Sequence, residues 1–111
     1  MISSDVMRGF NDLLILSIIN KGDSYGYEIS KKITEISNTK YSLKETTLYS
    51  AFSRLEKNGY ILGYESDKTF GRKRTYYKIS KSGKIYLSSK LEEWNEIETV
   101  INLFVKYLEE V

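Results

Sequence analysis

Two sets of residues combine type and spacing in a way that suits an anionic partner. With Leu48 set at 0° on a helical wheel and each residue advancing about 100°, Thr46, Ser50, Ser53 and Lys57 fall on one side. Leu48, Ala51, Phe52 and Leu55 fall on the other, with Tyr49 and Arg54 at the flanks. Small hydroxyls permit close approach to a nucleic-acid groove, and Arg54 and Lys57 can neutralise phosphates. The second set is Lys68, Arg72, Lys73 and Arg74 around Gly71, four cations in seven residues on a turn, which suits a phosphate backbone or a groove edge. Each set alone has a plainer reading, as a solvated helix face or a solubilising loop. Together they make Thr46, Thr47, Tyr49, Ser50, Ser53, Arg54, Lys57, Lys68, Arg72, Lys73 and Arg74 the candidate DNA-binding residues.

Other chemistry lacks its residues. Histidine and cysteine are both absent, which removes the commonest general base, the commonest metal ligand, thiolate nucleophiles and disulfides. No G-x-x-x-x-G-K-[ST] or G-x-G-x-x-G run occurs. Glu92 and Glu93 are adjacent, so on a helix they point apart and form no dyad. The expectation is a non-enzymatic protein with no cofactor and no metal.

The chain that must position these residues has 111 residues and 12.9 kDa, enough for one domain. Its 41% hydrophobic and 29% charged content is ordinary for a globular protein. The net charge of +2 hides an uneven distribution. Residues 41–81 carry nine Lys/Arg against four Asp/Glu, residues 1–40 balance, and residues 82–111 are net −3. Both candidate sets therefore lie in one basic segment. The longest apolar run, residues 13–19, is far short of the roughly 18 residues that span a bilayer, and no basic region precedes it. A cytoplasmic protein without a membrane partner is expected.

With no proline, glycines and capping residues punctuate the chain. Asp5 is placed to cap a first helix over residues 6–20, stopped by Gly22. Asp23 or Ser24 can cap a second helix to residue 37, in which Tyr25, Ile29, Ile33 and Ile36 form an apolar stripe. Ser42 to Glu45 is an S-x-x-E capping box, opening a third helix that carries the first candidate set and closes at Asn58-Gly59. Two β-rich runs, 60–66 and 73–79, form a hairpin with a basic tip, in which Lys73, Thr75, Tyr77 and Ile79 share a face. Ser80 caps a final helix. Three short helices and a two-stranded wing describe a winged helix-turn-helix. The expected fold is mainly α with a small β-hairpin wing, with residues 1–80 as DNA-binding domain and 81–111 as a dimerisation helix, in one compact unit.

In the final helix Trp94, Ile97, Ile101, Phe104, Leu108 and Val111 step by three and four, a heptad seam with Leu87 one a-position earlier. A helix of about 29 residues is about 43 Å long, more than a small core can cover. A second copy is the expected cover, through Leu87, Ile97, Ile101, Phe104 and Leu108. Trp94 in that seam either packs or lines a cavity for a flat aromatic ligand.

The chain also resembles the PadR-type transcriptional regulators. The matching residues are Arg8-Gly9, the apolar run 13–19, Gly22, Tyr25-Gly26-Tyr27-Glu28-Ile29, Thr47-Leu48-Tyr49 and Arg54-Leu55-Glu56-Lys57-Asn58-Gly59. They continue through the wing from Gly71 to Ser80, then Ser82-Gly83 and Glu92-Glu93-Trp94. The resemblance implies a winged-helix homodimer of the short subgroup that binds double-stranded operator DNA, usually as a repressor, and is joined by its C-terminal helix. In multidrug-sensing members of that subgroup, a pair of tryptophans on the last helices sandwiches planar aromatic drugs. Trp94 occupies the matching position, which implies a planar aromatic effector there. Ser50 and Ser53 stand where many members have proline and histidine, so no operator sequence carries over. The competing reading is a winged-helix protein-interaction module without specific DNA binding. An adaptor, however, has no need to concentrate cations on helix and wing together.

Overall fold

The computed structural model describes residues 1–69 and 71–110, without the side chains of Lys68 and Thr69. The Lys68 cation and the Val111 end of the seam therefore lie outside the described residues. The elements run α1 (Ser4–Met7), α2 (Asn11–Lys21), β1 (Ser24–Tyr25), α3 (Gly26–Ile36), α4 (Glu45–Lys57), β2 (Ile61–Thr69), β3 (Arg72–Ile79) and α5 (Lys81–Glu109). The strands form an antiparallel sheet in the order β1-β3-β2. This is a winged helix-turn-helix, mainly helical, continued by one long helix.

One core holds these pieces together. Ile15, Leu16 and Ile19 of α2, Ile29 and Ile33 of α3, Leu48, Phe52 and Leu55 of α4, and Ile61 and Tyr77 of the wing are all buried. The nearly unbroken apolar surface of α2 follows from its position, because α3, β3 and α5 all pack on it. The alternation along β3 puts Tyr77 inside, its ring stacked on Phe52 at 4.2 Å. Gly59 ends α4 with a φ of +77°, which a residue without Cβ adopts at no steric cost. Ser80 opens α5 by accepting the Gly83 N–H at 3.0 Å.

Three local expectations are corrected. The first helix is two helices: Ser3, not Asp5, caps α1 by accepting the Val6 N–H, while Asp5 pairs with Arg8 at 2.6 Å. The chain turns at residues 8–10 and α2 begins at Asn11. Ser24-Tyr25 caps no helix through its side chain but forms a short strand on Tyr77 and Tyr76, where sheet pairing outweighs the helical stripe. The Ser42 capping box does not form either. Ser42 meets the Thr34 hydroxyl at 3.3 Å, and Lys44 stands at the N-cap without a side-chain bond.

The last element sets the shape. α5 has 29 residues, and the molecule reaches 61 Å along its long axis against 29 and 21 Å across. Leu87 and Tyr86 pack on the core, whereas Val100, Leu103, Phe104 and Leu108 are exposed. Among the described residues no helix is long and apolar enough to cross a membrane.

Candidate nucleic-acid interface

Helix α4 is fixed from behind. Leu48, Ala51, Phe52 and Leu55 are buried, and Phe52 stacks on the Tyr77 ring and lies at nearly right angles to the Tyr49 ring. The opposite face is open: Thr46, Ser50, Ser53 and Lys57 are exposed, and Thr47 is half-buried. The helix thus presents hydroxyls and one cation on a rigid support.

Arg54 behaves differently. From the flank of α4 its two terminal nitrogens donate to both Asp12 carboxylate oxygens, at 2.8 and 2.6 Å. The Tyr86 hydroxyl donates to the same carboxylate at 2.8 Å. A largely buried acid that accepts a two-pronged guanidinium holds it firmly, so Arg54 joins α4 to α2 while its side chain stays 53% exposed. Burial pushes the Asp12 carboxyl up, but the hydrogen bonds from Arg54 and Tyr86 and the charges of Arg54 and Lys90 outweigh it, leaving the group below its usual value. Tyr86 is pushed up to about 12, first by burial and then by its bond to Asp12. Its ring stacks on Tyr60 at 4.2 Å, and the Lys90 ammonium lies 5.5 Å from the ring centre.

On the wing, Arg72 and Lys73 are exposed, whereas Arg74 is half-buried with its guanidinium 4.8 Å over the Tyr25 ring. Tyr25 and Tyr64 stand on either side of Tyr76, one tyrosine from each strand, at 5.1 and 6.0 Å. The Tyr64 hydroxyl donates to Asp23 at 2.6 Å. Tyr49 and Arg74, from different candidate sets, line one cleft together with Tyr25, Gly26 and Tyr27. The Asp12 network and the tyrosine row are absent from the sequence-based candidates. Ten tyrosines in 111 residues were the available signal for the row, and the Asp12 network had none, since its members are far apart in the chain.

Of the seam residues, Leu87 packs on the core of its own chain and Ile97 is half-buried. Ile101, Phe104 and Leu108 are 56%, 66% and 72% exposed. Trp94 is 37% exposed and meets the Phe10 ring edge-on at 5.6 Å. The turn at residues 8–10 brings Phe10 there, so the tryptophan packs at least partly within its own chain. Lys90 turns onto Tyr86 and pairs with Glu93 at 3.3 Å.

The chain is similar to known proteins in sequence and fold. The chain is 46% identical over 109 residues to an uncharacterised protein of Lysinibacillus sphaericus, covering 98% of this chain and 100% of that one. A solved transcriptional regulator from Clostridium thermocellum is 55% identical with a TM-score of 0.85, over 92% of this chain and 99% of that one. A PadR family transcription regulator from Clostridium difficile is 41% identical with a TM-score of 0.75, over 85% and 96%. Residues 15–89 match the transcriptional regulator PadR-like family. With the exposed face of α4, the basic wing and these matches in agreement, the chain belongs to the PadR-like family of transcriptional regulators, DNA-binding proteins rather than enzymes.

Proposed function

We propose that the protein is a homodimeric repressor that reads an inverted-repeat operator. The observation that carries this reading is the pairing of two unsatisfied surfaces: the polar outer face of α4 and the exposed apolar end of α5. Water-facing Ile101, Phe104 and Leu108 on a helix with heptad spacing favour a second copy of the same helix. A two-fold axis through paired α5 helices then presents two α4 helices to one duplex, with half-sites about 10 base pairs apart or a multiple of that. Arg72, Lys73 and Lys57 contact phosphates, while Thr46, Ser50 and Ser53 meet base edges. The family resemblance favours repression. Selecting bound duplexes from a random pool tests the reading. It predicts an enriched inverted repeat held by two chains, and enrichment of a single unrepeated site held by one chain contradicts it.

Release by a planar aromatic effector is a second part of the proposal, favoured by the exposure of Trp94 at the start of the seam. Phe10 stands at right angles to the indole, 5.6 Å away, and a flat ring adds a stacking partner. Titration with planar cationic dyes should quench the fluorescence of this single tryptophan. Dye binding that persists unchanged in Trp94→Ala would remove the effector site from this position.

A further inference from the structure

The N-terminal segment, α2, α3 and the turn after α3 meet around an apolar pocket of about 340 Å³. Buried Ile18, Ile33 and Tyr41 and exposed Ile2 and Ile36 all belong to its wall, so it runs from the surface to the core. Among the described residues no charged side chain lines it, and its hydroxyls are already committed. Ser17 donates to the Leu13 carbonyl at 2.6 Å, Ser37 to the Thr34 and Tyr41 carbonyls at 3.1 Å, and Tyr41 to Asn11 Oδ1 at 2.7 Å. The N-terminal side is tied to the turn by the Ile2 N–H, which donates to the Lys40 carbonyl at 2.9 Å, while α1 buries none of its own residues. Just before Lys40, Asn38 and Thr39 hold φ at +53° and +63°. A β-branched residue in the left-handed region is an outlier, and backbone strain of this kind clusters at ligand clamps.

We propose that this pocket binds a small uncharged apolar ligand, a single ring or a short alkyl chain, clamped between the N-terminal segment and the strained turn. Its volume is more than twice the roughly 150 Å³ of a dry apolar cavity that takes up benzene. A charged group would leave water there and find no partner, which excludes acids and amines from the deep part. A flat docking face would not reach the core, whereas this wall includes Ile33 and Tyr41. The site shares no residue with the DNA-contacting candidates or with the α5 seam, so it is separate from the effector position at Trp94. It lies against the connection from α3 into α4, through Ser37 and Tyr41.

The test is an NMR titration of the full chain, labelled at its isoleucine methyl groups, with toluene and separately with benzoate. Toluene should shift Ile18, Ile33 and Ile36 saturably while Ile61, Ile97 and Ile101 stay still. Benzoate, the same ring with a charge, should bind about tenfold more weakly or not at all. Ser17→Trp sets a bulky ring in the exposed wall, and Ile36→Glu brings a charge to it; each should remove the saturable shifts. Ile36→Glu alters an exposed position and carries the test if Ser17→Trp does not fold. Trp94→Ala should bind toluene as the wild-type protein does. The inference is overturned by the absence of saturable shifts at Ile18 and Ile33, or by shifts that survive in both pocket variants. Loss of binding in Trp94→Ala would move the ligand to α5 and also overturn it. Benzoate binding as tightly as toluene would overturn the apolar class. Pocket methyls that shift on dilution of the protein but not with toluene would show a second copy in the groove, and that result overturns the inference too.

Discussion

Asp12 joins three helices through one carboxylate. It accepts both arms of Arg54 from α4 and the hydroxyl of Tyr86 from α5. Asp12→Ala should therefore cost about 1–3 kcal/mol in urea unfolding, since it leaves three donor atoms of Arg54 and Tyr86 without their acceptor. The pH dependence has a definite sign at each end. The folded-state value of Asp12 lies below the ordinary 3.8, so its contribution is present above that pH and is lost as acid carries the solution through the lower folded value. Tyr86 is raised from 10 to about 12, so its contribution is complete below pH 10 and is lost as the pH climbs toward 12. Tyr86→Phe should remove that alkaline loss, and an unchanged alkaline transition in the variant would show that Tyr86 does not cause it. None of this was legible in the sequence. The wheel placed Arg54 on the flank of its helix correctly, but a flank can face a groove or a neighbouring helix, and only packing decides which.

Element by element, legibility followed how local each signal was. The inner stripe of α4, its Asn58-Gly59 stop and the Ser80 cap depend on neighbours a few residues apart, and these agree with the structure. The features that were missed depend on distant partners: β1 exists because β3, some fifty residues later, offers it an edge. Gly83 shows the same dependence. A Cβ there would lie 2.1 Å from the Tyr60 backbone oxygen and 2.8 Å from Ile79 Cγ1, so α5 starts flush against the end of α4's loop. In an isolated helix, glycine to alanine gains about 1 kcal/mol. Here Gly83→Ala should lose about 1–3 kcal/mol, because a backbone atom cannot swing aside. A melting temperature at or above wild type would contradict that packing. Of the candidate site, the exposed face of α4 and the exposed Arg72 and Lys73 were legible, whereas the cleft at Arg74 needed the meeting of three elements.

The whole molecule is an elongated body, 61 Å long, whose distal helix leaves apolar side chains in water. Replacing both Ile101 and Leu108 with glutamate puts charge into that surface, and sedimentation should then report monomer or unfolded chain. Unchanged dimers would place the interface elsewhere. On a duplex the labour is expected to divide between the surfaces: the wing and Lys57 supply affinity on any sequence, and the centre of the α4 face supplies preference. The most direct measurement is selection from a random duplex pool, run in parallel with the wild-type protein, Ser50→Ala/Ser53→Ala and Lys57→Ala/Arg72→Ala. The account predicts that the serine variant enriches a different or relaxed sequence, while the cation variant enriches the wild-type sequence with weaker binding and a flatter salt dependence. Identical enrichment by the wild-type protein and the serine variant would contradict it, because α4 would then not be the element that reads the bases.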